Sequence, residues 1–419
     1  MKHLTILALG SRGDVLPNVI LGSALQLAGF RVRVITFENF APLVDKHGLD
    51  FAPVPGDAEA ILASSGGLAL VESEQNILKQ WRALKQTFWQ LTDGITTLLS
   101  QPHIWQTDGI INQLPGSFYG RSLAEKLQVP LINVAVIPML RTKTVPMVAF
   151  PSWPAFLPWY NSLTYRLAEQ LVWSGFRQSV NQWRQTVLGL AKRPFLGNFS
   201  QLSYTPTLLG FSQHIVPRPD DWGPNVQITG YWLPEEPEWT VPDALAQFLA
   251  DGPPPILVSF GSMSVREPQR LTTLVLEAAR LSGQRLILQT GWAGLGQDNL
   301  PSAIFALDYA PYRWLFPQLA AVVHHGGSGT TGFGFWAGIP SILTPFLFDQ
   351  FYWGQRIQTL GVGPVPIPLK QLTAEKLAMA IETAVTNQSI RQKAAALGEK
   401  IRQENGLETA VRHIERLVG

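Results

Sequence analysis

The chain has 419 residues, 46% hydrophobic and 15% charged, with a formal net charge of +2 and no cysteine. That length accommodates two α/β domains with separate cores, and the composition excludes a disordered chain. The near-neutral balance gives no footing for nucleic-acid binding, and the missing cysteines exclude disulfides and thiol chemistry, in keeping with a reducing compartment.

The apolar start is too brief for a signal peptide and runs straight into Gly10-Ser-Arg-Gly-Asp, so Leu4–Leu9 is expected as a first strand. Gly10-Ser-Arg-Gly-Asp-Val-Leu-Pro17 is then the turn into a helix, with Pro17 in its first turn and Gly29 as its stop. Arg31–Thr36 follows as a second strand, which completes a βαβ unit. The glycine spacing is not the dinucleotide fingerprint. Asp14 nevertheless stands just past a strand's C-terminal end, the edge where open α/β sheets bind ligands. The competing role for this residue is to cap the helix.

Residues 52–105 are less regular. Pro53, Pro55 and Gly56 and the small-residue loop Ala63–Gly67 precede a helical pattern over Gln75–Leu99, with Trp81, Leu84, Phe88 and Leu91 along one face. A strand at Gly109–Asn112, a helix at Ser122–Leu127 and a strand at Pro130–Val134 come next. Residues 138–185 are rich in proline and tryptophan, among them Trp153, Trp159, Trp173 and Trp183. Such a cluster fills a core, lines an apolar acceptor cleft or faces a membrane. A pI near 8.8 permits weak attraction to anionic lipid, and no apolar run is long enough to span a bilayer. The expected location is cytoplasmic, with peripheral membrane contact as an option.

The prolines of His214–Asp243, with Glu235, Glu236 and Glu238, mark a linker. The expected organisation is thus an N-terminal domain over 1–215, a linker over 216–243, a C-terminal domain over 244–400, and a helix at 401–419 returning to the N-terminal domain. Strands are expected at Pro255–Phe260, Arg285–Leu288 and Ile304–Leu307, with a helix at Gln269–Leu281 and further helical regions from Thr373 onward.

The densest signal is Leu319–Val323, a buried strand running into His324-His-Gly-Gly-Ser-Gly-Thr-Thr331. The glycines form a tight turn, Ser328 or Thr330 is placed to cap a helix reaching Ala337, and Gly338 with Pro340 supplies its stop. A strand at Ser341–Pro345 then leads to Asp349-Gln350. Unpaired N–H groups at a helix start suit phosphate oxygens, while a carboxylate and an amide suit hydroxyls. Phosphate at one end and hydroxyls at the other describe a nucleotide sugar. Adjacent strand positions point to opposite faces, so His324 and His325 are poorly placed to ligate one metal ion.

These residues resemble the GT-B glycosyltransferases of the family 1/28 type, and above all their sterol and lipid glucosyltransferase branch. Gly10–Pro17 resembles the GSRGDVQP signature of that branch. Trp314–Thr331, Ala337–Pro340, Asp349-Gln350, Trp353-Gly354 and Gly361–Pro364 resemble its donor motif; Asn181–Arg184 and Gly230–Trp232 are weaker matches. The fold so implied is α/β, two facing Rossmann-like domains with an interdomain cleft, acceptor on the N-terminal half and donor on the C-terminal half.

The resemblance further implies that His325 donates to the donor's diphosphate, with Gly327, Ser328, Gly329 and Thr330 at the helix start and Gly261 and Ser262 from the neighbouring strand end. It implies that Asp349 and Gln350 hold sugar hydroxyls and that Tyr309 lies against the base; Tyr312 stands where many sterol enzymes carry histidine. The strand end near Asn112–Pro115 offers no carboxylate, so Asp14 is expected to act alone as general base, with Arg12 orienting it or binding the acceptor. The expected reaction is an inverting, metal-independent transfer of a hexose, glucose from UDP-glucose, to a hydroxyl of an apolar acceptor such as a sterol, terpenoid, carotenoid or lipid. The UDP-sugar is a co-substrate, and no metal or other cofactor is expected. A nucleotide-sugar epimerase on the same scaffold and a non-catalytic glycolipid-binding module are the alternatives. The motifs do not separate UDP from TDP, or glucose from another hexose.

Overall fold

A computed structural model describes residues 1–57, 60, 92–113, 118–148, 150–151, 154–196, 204–235, 238–260, 268–289, 300–346 and 349–419. They fall into two compact units, Met1–Trp232 with Glu404–Gly419, and Leu233–Gln403.

The first unit is built on seven parallel strands: β1 (His3–Leu7), β2 (Arg31–Phe37), β3 (Asp50–Val54), β4 (Gly109–Gln113), β5 (Leu131–Ala135), β6 (Thr207–Leu209) and β7 (Val226–Ile228). Their order is β3-β2-β1-β4-β5-β6-β7. Central strands carry runs of buried residues rather than an alternating pattern, Ile110 and Ile111 on β4 among them, because parallel sheets are covered on both faces. The order reverses between β1 and β4, so the loops leaving those two strands flank the point where such sheets take ligands.

Helix Gly406–Val418 belongs to this unit and packs on the first helix, Arg12–Leu27; it buries Ala410, Val411, Ile414 and Val418, a helical spacing.

Several expectations need correction here. The first helix starts at Arg12, so Pro17 lies in its second turn, where the ring forfeits the bond its N–H would have made to the Gly13 carbonyl. The cause is local: Ser11 and Asp14 form a capping box that starts the helix early. Strand β3 was hidden by Pro53, which is tolerated because β3 is an edge of the sheet.

Strand β7 lies inside the stretch expected as linker, and the first unit runs to Trp232 rather than 215. The prolines there shape an ordered loop. Arg218 donates to the carbonyls of Pro219, Trp222 and Gly223, and Trp222 is buried with Nε1 on the Arg141 carbonyl at 3.0 Å. The proline- and tryptophan-rich region contains a long helix, Pro158–Trp183. The expected face Trp81, Leu84, Phe88 and Leu91 lies outside the described residues, as do Ala63–Gly67 and Trp153; residues 92–99 are helical.

The second unit has five parallel strands, β8 (Ile256–Ser259), β9 (Leu286–Gln289), β10 (Ile304–Leu307), β11 (Ala321–His324) and β12 (Ser341–Leu343), ordered β10-β9-β8-β11-β12. The reversal now falls between β8 and β11, whose ends are in register, Ser259 beside His324.

Candidate active site

In the first unit the site grows out of the β1 turn. The helix begins one residue after Ser11, which turns the third helical residue, Asp14, back over the turn. Asp14 Oδ2 accepts from the Ser11 N–H at 2.9 Å and from its hydroxyl at 3.0 Å. A side chain on Gly10 would put its Cβ 2.3 Å from that same oxygen, so only glycine permits the fold-back. The other oxygen, Oδ1, accepts from Gln113 Nε2 at 2.8 Å, across the switch point at the end of β4. Burial pushes the Asp14 pKa above the ordinary carboxylate range, and the hydrogen bonds from Ser11 and Gln113 hold it back. The N-cap is Ser11, not Asp14, which serves as the acidic partner of the box. Ser11 and Gln113 are the groups that donate to the Asp14 carboxylate, while Arg12, expected to orient it or to bind the acceptor, is exposed.

In the second unit β11 delivers two histidines with separate tasks, their rings perpendicular. His324 is fully buried, and its Nδ1 accepts from the Gly326 N–H at 3.1 Å, which ties the turn to the strand end. His325 packs its ring against Phe346, and a Cβ on Gly327 would fall 2.5 Å from its Nε2. Its Nδ1 is buried without a hydrogen-bond partner among the described residues. Burial lowers both imidazoles, His325 to about 4, so neither is charged at neutral pH. His325 is therefore a neutral N–H donor rather than a cation.

Gly326 has φ +97°, the left-handed region, and a Cβ there would approach Leu343 and Gln350 to 3.0–3.2 Å. The N-cap of the following helix, Ser328–Ala337, is Gly327, so neither Ser328 nor Thr330 takes the capping role expected of them. Thr331 closes the first turn through its N–H and hydroxyl, both to the Gly327 carbonyl at 3.0 and 2.8 Å. The N-cap Gly327 has no side chain with which to cap the first turn, where Ser328, Gly329 and Thr330 sit, and a helix cannot satisfy its first N–H groups internally. The expected stop is present, Gly338 at φ +73°.

Asp349 and Gln350 open the helix Asp349–Leu360. Gln350 is buried, its Oε1 accepting from the Phe346 N–H at 2.7 Å, while Asp349 Oδ2 accepts from Trp353 Nε1 at 3.2 Å. Through Gly326 and Phe346 the fold brings the histidine turn and the Asp-Gln pair together. Tyr309 follows β10, at the sheet's edge, and is partly exposed. Gly261 and Ser262 lie outside the described residues.

Three contributions escaped the sequence reading. Gln113 and Asn18 belong to the Asp14 cluster, and Tyr312 pins two strand ends through Ser259 Oγ at 3.1 Å and Gln289 Oε1 at 2.6 Å. Polar residues in an otherwise apolar strand end were the available signal for Gln113, obscured by a search for carboxylates alone.

Comparison with known proteins bears on both units. Residues 4–146 match the glycosyltransferase family 28 N-terminal domain, and residues 275–415 match the erythromycin biosynthesis protein CIII-like C-terminal domain. The chain is 34% identical to the sterol 3-beta-glucosyltransferase UGT80B1 of Arabidopsis thaliana, over 97% of this chain and 67% of that protein. It is 35% identical to the sterol 3-beta-glucosyltransferase of Emericella nidulans over 99% of its own length, but spans only 30% of that longer protein. Among solved structures, the glycotransferase of kitacinnamycin matches with a TM-score of 0.72 at 19% identity, over 100% of this chain and 99% of that one. The glycosyltransferase VinC, in complex with DTDP, matches with a TM-score of 0.68 at 19% identity, over 99% of each chain. These likenesses establish the GT-B fold.

Proposed function

The chain belongs to the glycosyltransferase family that includes the sterol 3-beta-glucosyltransferases, and on that premise we propose that it transfers a hexose, glucose from UDP-glucose, to a hydroxyl of a sterol or similar apolar acceptor. The observation that carries this reading is the second unit's turn: a helix start capped by glycine alone, a neutral buried His325 beside it, and Gln350, next to Asp349, packed against Gly326 of the same turn. Helix-terminal N–H groups and an imidazole N–H aimed at a leaving diphosphate stabilise the charge that develops as the glycosidic bond breaks. That supports a metal-independent departure. On the first unit Asp14 takes the acceptor's proton. Its pKa lies far below that of an alcohol even when raised, so transfer comes late, as the new C–O bond forms. Direct displacement of this kind inverts the anomeric centre.

The test is a screen of sterol, terpenoid, carotenoid and lipid alcohols with UDP-glucose and TDP-glucose, read by product mass. A product heavier than the acceptor by one hexosyl residue is expected with at least one acceptor. Release of nucleotide with free sugar, or an epimerised donor, would sink the reading.

The acceptor side supports contact with a membrane surface as well. The tryptophans divide by depth: Trp173 and Trp183 are core, packed on Phe118 and Tyr119, whereas Trp159 is 63% exposed. On the helix it forms an exposed stripe with Leu163 and Leu167 at helical spacing, with Arg166 alongside and Phe156 exposed in the turn just before the helix. No described helix is long and apolar enough to cross a membrane. Replacing Phe156 and Trp159 by serine is expected to lower affinity for anionic vesicles, read by flotation, at least about thirtyfold, each ring contributing on the order of 1–2 kcal/mol, without changing turnover of a water-soluble acceptor. Equal flotation of both forms would remove the membrane from the account.

A further inference from the structure

Among the described residues three donors hold the Asp14 carboxylate and leave it one open direction. Ser11 supplies two, N–H and hydroxyl, both to Oδ2 at 2.9 and 3.0 Å; Gln113 Nε2 supplies the third, to Oδ1 at 2.8 Å. A carboxylate oxygen accepts along two lone-pair directions, so Oδ2 is filled and Oδ1 keeps one. The amide that reaches Oδ1 is itself oriented. Gln113 Oε1 accepts from Asn18 Nδ2 at 3.2 Å, and the same nitrogen donates to the main-chain carbonyl of Asp14 at 2.8 Å. Both ends of this relay, a carbonyl and a carboxylate, only accept, so neither amide can turn over without setting acceptor against acceptor. Gln113 and Asn18 are buried, at 4% and 0% exposure. Asn18 Oδ1 has no partner, a cost the fold accepts while the Asn18 amide nitrogen faces the relay.

The geometry points to Gln113 as a positioning residue for the base, one that holds Asp14 ionised and leaves Oδ1 as the atom that takes the acceptor's proton. The inference rests on Asp14 being the general base. In the step itself, the acceptor's O–H proton moves to Oδ1 and its bonding pair becomes available to the oxygen. That oxygen forms the bond to the anomeric carbon, while the bond from carbon to diphosphate oxygen breaks and its electron pair leaves with the nucleotide. Gln113 neither gains nor loses a proton. Among the described residues no charged side chain shares in setting the acidity of Asp14: β2, helix Ala41–Lys46 and helix Gly406–Val418 all pack against the first helix, yet of these residues Ser11 and Gln113 alone act on it besides burial.

The experiment is the pH profile of kcat for the parent, Gln113→Met, Gln113→Asn and Asp14→Asn, with the donor Kd measured for each. Methionine matches glutamine in length and removes the donor; asparagine keeps an amide but withdraws it. Both Gln113 variants are expected to move the acid limb up by about one pH unit, a tenfold loss below the limb and a much smaller one above it, with the donor Kd unchanged. A purely structural role lowers kcat by the same factor at every pH, and an unmoved acid limb in a folded variant overturns the inference. If Gln113→Met does not fold, Gln113→Asn carries the same two outcomes. Parent-like turnover in Asp14→Asn sinks the base assignment itself; an inactive Asp14→Asn beside an unmoved limb sinks the role of Gln113 alone.

Discussion

Asp14→Asn is expected to lower kcat by about 10²- to 10⁴-fold, the range for removing a general base, while the nucleotide sugar still binds at parental affinity. The substitution keeps the side chain's shape and an oxygen for Ser11, so the capping box survives in part. The capping role alone predicts something different: a loss of about 1 kcal/mol of stability and no selective loss of turnover. Thermal unfolding beside steady-state kinetics therefore separates the two roles. The sign of the pH dependence follows from burial. A carboxylate with a raised pKa loses its proton-accepting form as pH falls through that value, so kcat declines on the acid side earlier than an ordinary aspartate would cause. Unchanged turnover in Asp14→Asn would leave the reaction without its base.

His325→Ala is expected to cost about 10²- to 10³-fold in kcat, the magnitude for losing one N–H donor to a developing anion. Gly327→Ala makes the same point without touching the imidazole's chemistry. Its backbone, at φ −61°, accepts a side chain, but the Cβ would sit 2.5 Å from His325 Nε2 and must displace the ring. A loss of donor affinity of about tenfold is expected, as for a displaced hydrogen bond, with little change in Tm. Parental kinetics in both variants would mean that the diphosphate lies elsewhere.

Because burial lowers His325 to about 4, donor binding should be flat from pH 6 to 8, where a cationic imidazole would bind less tightly as pH rose. Stability runs the other way. Between about 6.5 and 4 the unfolded chain binds the proton that the folded chain refuses, so stability is full above that window and falls as pH drops through it. The His325 contribution is on the order of 3 kcal/mol, and His325→Ala should flatten the acid limb of a Tm–pH curve.

Most of both sheets could be read along the chain. Runs such as Ile256–Ser259 and Ala321–His324 are short and buried throughout, which is what a parallel strand requires. What escaped had weak local signals. Strands β6 and β7 are three residues each and stand close behind Pro206 and Pro224, in stretches that read as turns, and β3 contains a proline that only an edge position excuses. The donor turn was legible because glycine, histidine and the helix start lie within one continuous stretch. Its cap was not: Ser328 and Thr330 are good capping types, but they fall inside the helix, and the cap is the glycine before them.

The sequence alone determined that two βα modules exist, where the glycine turn sits and which carboxylate follows the first strand, because each depends on residues within a few positions of one another. Tertiary structure alone decided that Gln113 reaches Asp14 across 99 positions, that Trp173 is core while Trp159 is surface, and that residues 226–228 join the first sheet. Those outcomes depend on which strands lie side by side and which helix face is covered. Pairing and burial are set by the whole chain's packing, and no local stretch carries that information.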